Sequence, residues 1–150
     1  MFNPLIALKP ILLLLALMSL SLTPVHDAPT HQLWIYVTGV TPSNISKINI
    51  GLYREQDNFP KRDGTYKHHI AAANNDTIKV KFEVPFGEYA VAASNDANGN
   101  GKLDRNSFGY PVEPFGFSRG FRPTVRGPRF QECAFQFSRQ NQLIYVRLAE

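Results

Sequence analysis

The stretch "TIKVKFEVPFGEYAVAAS", residues 77–94, carries the most weight for the fold. Ile78, Val80, Phe82 and Val84 alternate with Lys79, Lys81 and Glu83, the period-two pattern of a half-buried strand. A second apolar run, "EYAVAAS", follows after Pro85, Phe86 and Gly87. Two such runs joined by a tight turn predict a β-hairpin over 77–94.

Working outward, the same alternation recurs. Leu33, Ile35 and Val37 face one way in "QLWIYVTGV", with Trp34 and Tyr36 facing the other. Ile48, Ile50 and Leu52 share a face in "INIGLY". Near the end, "AFQF" and "LIYVRL" flank "SRQNQ" and are expected to pair, with Ile144, Val146 and Leu148 toward the core. No stretch after residue 27 has a 3.6-residue apolar period. Pro and Gly together number 21 and cluster in the second half, which favours short strands joined by turns. The expected fold class is therefore all-β, an antiparallel β-sandwich of six or seven short strands. Residues 54–69 read as a long exposed loop, and about 95–129 as a longer loop insertion. Long loops in a compact domain are commonly functional or specially held.

The 150 residues suit one domain. Residues 1–27 read apart from it. Lys9 precedes an apolar run from Ile11 to Leu22, too short to span a bilayer as a relaxed helix. That is a signal-peptide pattern, with cleavage expected between 21 and 28. Residues 28–150 are then a single exported domain, periplasmic or extracellular, that meets the membrane only through its signal segment. Cys133 lies far from that segment and has no intrachain partner for a disulfide. Its setting, "FQECAFQF", predicts a buried strand residue.

The formal net charge is +4, with Arg119, Arg122, Arg126 and Arg129 concentrated in one run. Guanidinium forks fit carboxylate and phosphate, so these four are candidates for contact with an anion or a cell-envelope partner. No aromatic-basic recognition module for nucleic acid is present.

The chemistry concentrates in "NDANGNGKLDRN", residues 95–106. With Asp96 as position 1 of a calcium loop, Asn98 is 3, Asn100 is 5, Gly101 is the turn glycine at 6, and Asp104 is 9. Lys102, at 7, offers only its backbone carbonyl. Leu103, at 8, is expected to pin the loop to the core. Calcium takes six to eight oxygen ligands, and position 12 normally supplies a bidentate glutamate. Here it is Ser107, and no helices flank the loop, so this is no EF-hand. Glu113 is the nearest carboxylate that could complete the set: Asp96, Asn98, Asn100, Lys102, Asp104 and Glu113. Affinity would fall in the weak extracellular range of about 10⁻⁴–10⁻³ M. The competing reading is a self-capped turn, because Asn, Asp and Gly also cap their own backbone.

A non-enzymatic domain whose loop clips the insertion in place is the leading expectation. Its alternatives are a metal-assisted hydrolase using Asp96, Asp104 and Glu113, and a metal-free module binding anions through the arginine run. His68 and His69 are adjacent and would point to opposite faces of a strand. Ser94, Ser107 and Ser118 lack a nucleophile-elbow context. Phe115, Phe117 and Phe121 are expected to lid one end of the domain or to line a shallow groove.

Three elements of 84–118 combine into a recognisable pattern. They are Pro85, Gly87, Tyr89 and Ala90; then Asp96, Asn98, Asn100, Gly101, Leu103 and Asp104; then Gly109, Pro111, Glu113, Gly116, Phe117 and Ser118. The combination resembles the bacterial exported family known as domain of unknown function 2141. One departure is visible: Ser94-Asn95 stands where the family usually has an aromatic or histidine. The resemblance implies export, a sandwich of immunoglobulin-like or prealbumin-like kind, and no established activity.

Overall fold

A computed structural model describes residues 28–149 of the chain. The expected signal segment lies outside the described residues. The described residues form eight strands: β1 (His31–Thr38), β2 (Lys47–Tyr53), β3 (Lys67–Ala72), β4 (Thr77–Val84), β5 (Gly87–Asp96), β6 (Phe115–Phe117), β7 (Phe135–Phe137) and β8 (Gln142–Arg147). One helical turn, α1 (Phe130–Cys133), precedes β7. Three strands make one sheet in the order β4-β1-β8, and five make the other, with β3-β2-β5-β6 in line and β7 also on β5. The all-β class follows directly.

The inward sets hold. Leu33, Ile35, Val37, Ile48, Ile50, Leu52, Val80, Phe82 and Val146 are buried in one cluster drawn from both sheets. Burying each such side chain stabilises by about 1.5–3 kcal/mol relative to exposure. Ile144 packs against the same cluster from a partly buried position.

Residues 77–94 do not form the expected hairpin. β4 pairs with β1, whereas β5 pairs with β2 in the other sheet. Pro85 and Phe86 carry the chain across from one sheet to the other. Two-residue hairpins favour turns with positive φ, and none of Pro85, Phe86 or Gly87 has a left-handed backbone. Proline also lacks a donor for a ladder. Both strands still aim their apolar faces at one core, from opposite sides. The Tyr89 hydroxyl donates to the Pro85 carbonyl at 2.9 Å and ties the crossover.

Further expectations are corrected. β7 pairs with β5 and β8 with β1 in parallel, so "AFQF" and "LIYVRL" are not partners and the pairing is not wholly antiparallel. The loop expected over 54–69 gives way at Lys67 to strand β3, antiparallel to β2. The insertion expected over 95–129 is interrupted by β6, which pairs with β5 at Ala92–Ser94. Cys133 is buried, as expected, but ends a helical turn rather than sitting in a strand. Glu132 begins that turn by accepting the Arg129 N–H at 2.8 Å, a capping interaction.

β5 is buried on both faces for much of its length. Its second face is covered by a separate cluster of Tyr53, Ala90, Phe115, Phe117, Phe130, Cys133 and Ala134. That cluster packs α1 against the outer face of the five-stranded sheet, over side chains of β2, β5 and β6. Phe115 and Phe117 thus belong to it, and Phe121 packs at its margin.

Candidate functional site: a clip and the cleft beside it

β5 delivers Asp96 to the sheet end almost fully buried, 1% exposed. Its two oxygens accept the N–H groups of Asn100 at 3.0 Å and Gly101 at 2.8 Å. Gly101 has φ 80, a left-handed turn that glycine enters without steric cost. Glu113, 6% exposed, arrives from the segment that leads into β6. Its oxygens accept the Ala97 and Asp104 N–H groups, each at 2.9 Å. The Asp104 carboxylate accepts from the side-chain amides of Asn98 at 2.7 Å and Asn100 at 3.1 Å. The Asn98 and Asn100 oxygens accept the N–H groups of Asn100 and Lys102.

Asp96, Asn98, Asn100, Asp104 and Glu113 are therefore brought together in one hydrogen-bonded clip. The acceptors expected to face a cation face the loop's own donors. Charge-assisted bonds of this kind are the stronger ones. Leu103 does not join the buried core; it is partly buried and lines a neighbouring cleft.

Three of the four arginine side chains, those of Arg119, Arg122 and Arg126, are engaged by acceptors of the chain itself. Arg119 donates to the Ala134 carbonyl at 3.3 Å. Arg122 donates to the carbonyls of Phe115 and Arg147. Arg126 makes a forked pair with Glu132 at 2.9 and 2.7 Å. That pair, with the Arg129 N–H, holds the Glu132 carboxyl down at about 2. The Arg129 backbone serves the α1 cap.

Beside the clip lies a cleft of about 680 Å³ over the outer face of the five-stranded sheet. Its floor comes from outward positions of β2, β5 and β6: Gly51, Tyr53, Ala92, Ser94, Phe115 and Phe117. The small residues leave the space and the aromatic ones bound it. Three loops wall it, around Pro60–Asp63, Gly101–Pro111 and Pro123–Pro128. Arg62 joins two of them by donating to the Gly101 carbonyl at 2.8 Å. The Tyr53 hydroxyl donates to the Pro60 carbonyl at 3.0 Å. Burial, then the charges of Asp63 and Asp57, push that phenol well above its usual range.

His68 lines the cleft from the edge strand β3. Burial first, then the Arg62 and His69 charges, hold its pKa below the usual histidine value. Ser94 is separated from it by β2, and no nucleophile–base hydrogen bond joins cleft residues among those described. Of the three aromatic residues expected to lid the domain or line a shallow groove, Phe115 and Phe117 line this cleft and Phe121 does not; the strand and loop residues that complete it were not foreseen. The available signal was the run of small outward residues Ala90, Ala92 and Ser94, facing Gly51.

The architecture and the site define a class: a two-sheet all-β domain with an oxygen-rich loop clip and a loop-walled cleft on one sheet. Residues 35–145 match the family model described as an uncharacterised protein conserved in bacteria, domain of unknown function 2141, and the chain belongs to that family. No curated protein and no solved structure matches the chain.

Proposed function

We propose that the chain is an exported, non-catalytic binding domain of sandwich type, whose 96–113 clip holds one wall of a ligand-binding cleft. The observation that carries the reading is the cleft itself: about 680 Å³, floored by small and aromatic side chains and walled by three loops. Ligand sites are concave, largely apolar and of about 300–1,000 Å³. Its lining offers polar groups for orientation but no activated nucleophile. Export is supported by the leader-like residues 1–27 of the sequence.

The test uses the neutral aromatic probe N-phenyl-1-naphthylamine, followed by fluorescence and by amide chemical-shift mapping. Binding should perturb the amides of Gly51, Ala92 and Ser94. Ala92→Trp fills the floor and should abolish it. Shifts confined to other faces, or binding unaffected by Ala92→Trp, would sink the reading.

One observation favours a second reading, in which a calcium ion occupies the clip. Five oxygen-bearing side chains converge on one loop, and Glu113 comes from across it. A cation there would take Asp104 from the amides of Asn98 and Asn100, and would strengthen the wall without doing chemistry.

A further inference from the structure

We propose that the cleft selects an amphipathic anion: an anionic group, such as a carboxylate, sulfonate or phosphate ester, on a flat apolar body. This rests on the reading of the cleft as a binding site.

The charge of the lining is one-sided. Lys61, Arg62, Lys102 and Arg105 all line the cleft, against one lining carboxylate, Asp63. None of these four cations has a carboxylate partner among the described residues. Arg62 and Arg105 are held in place by neutral carbonyls, those of Gly101 and Gly109, so they are positioned with their charge uncompensated. Arg126 differs, because Glu132 neutralises it. The nearby clip carboxylates do not offset the cations at the cleft face. Those of Asp96 and Glu113 are buried and turned onto backbone N–H groups, the part-buried Asp104 carboxylate is turned onto the side-chain amides of Asn98 and Asn100, and none of the three residues lines the cleft. A low-dielectric concavity lined by one sign of charge focuses that field on a ligand.

The apolar half of the proposal comes from the rim. Phe108 and Val125 are 96% and 94% exposed, and Tyr110 is 43% exposed. They stand on two different walling loops of the same cleft. Large apolar side chains left in water around a concavity mark a surface that is covered in use. Below them the floor offers Phe115 and Phe117, which suit a flat body.

The experiment compares two probes on the full-length exported protein. One is anionic, 8-anilinonaphthalene-1-sulfonate; the other is the neutral N-phenyl-1-naphthylamine. The anionic probe should bind at least about tenfold more tightly at low salt and lose that advantage at high salt. Lys61→Gln and Lys102→Gln remove side chains that make no hydrogen bond among the described residues, so folding should be kept. Each should weaken the anionic probe by about fivefold, the scale of one exposed charge contact, and leave the neutral probe unchanged. Dispersed amide spectra confirm that the fluorescence comes from folded protein. Equal affinity for both probes, or no response to either lysine change, overturns the anion proposal and leaves the cleft reading standing. No binding by either probe overturns both.

Discussion

Glu113 uses one carboxylate to close two backbone gaps, at Ala97 and Asp104. Removing it leaves two donors short of a partner in a part-buried place. Glu113→Ala should cost about 2–4 kcal/mol in urea unfolding, and Glu113→Gln less, because the amide keeps one acceptor. Faster amide exchange at Ala97 and Asp104 in the Ala variant would tie the loss to those bonds. Unchanged stability would mean that the clip does not hold the wall. The residue pattern was legible here but its use was not. Alternate oxygens serve a loop's own N–H groups as well as they serve a cation, and sequence spacing does not distinguish the two. Cys133 was simpler. Burial chiefly, then the Glu132 charge, push its thiol up to about 12. The nucleophile is the thiolate, so a thiol reagent at pH 8 should label Cys133 only after denaturation. Rapid labelling of native protein would contradict this.

At the scale of elements, alternation tells which face of a strand is buried but not which strand lies beside it. The inward sets of β1, β2, β4 and β8 were therefore readable, while the partners of β5, β7 and β8 were not. Edge pairing depends on where distant chain segments return. β6 shows the consequence. It was hidden in an expected loop because three residues carry no period, yet its Gly116 packs against β8. A Cβ at Gly116 would collide with the Arg147 carbonyl oxygen. The obstacle is backbone, so it cannot swing aside. Gly116→Ala should destabilise by about 1–3 kcal/mol, the usual cost of overpacking, and thermal melts would read it. The helical turn α1 offers a pH test. The Arg126 side-chain bond, then the Arg129 N–H, hold Glu132 at about 2 against an ordinary 4.5. A depressed carboxylate stabilises the fold above its unfolded value, and that contribution is lost as pH falls from about 4.5 through 2. Carboxyl titration by NMR should place Glu132 at about 2 with Arg126 intact. Arg126→Ala should move it up toward the ordinary value. Titration near 4.5 in both proteins would remove the forked pair from the account.

Across the whole molecule, the cleft exists only because three sequence-distant loops meet over one sheet. No local pattern announces that, and only its floor left a trace, in the small residues Gly51, Ala92 and Ser94 and in the groove expected of Phe115 and Phe117. The clip, by contrast, is a local motif placed where a long connection leaves the sheet, so it was found first. Its bearing on global stability can be weighed. A ligand that binds only the folded state stabilises by RT ln(1 + [L]/Kd). A weak extracellular calcium site has Kd of about 10⁻³ M, so calcium at about 10 mM adds about 1.4 kcal/mol. That amounts to roughly 3–6 °C in the melting midpoint of a domain this size. In this fold a cation must also take Asp104 from the Asn98 and Asn100 amides, and the bonds lost offset part of its gain. The expected shift between chelator and 10 mM calcium is therefore no more than that range, and Asp104→Asn should abolish it. A larger shift, saturating at micromolar calcium, would mean that the hydrogen-bonded clip is the minor state and the cation the principal tie of the cleft wall.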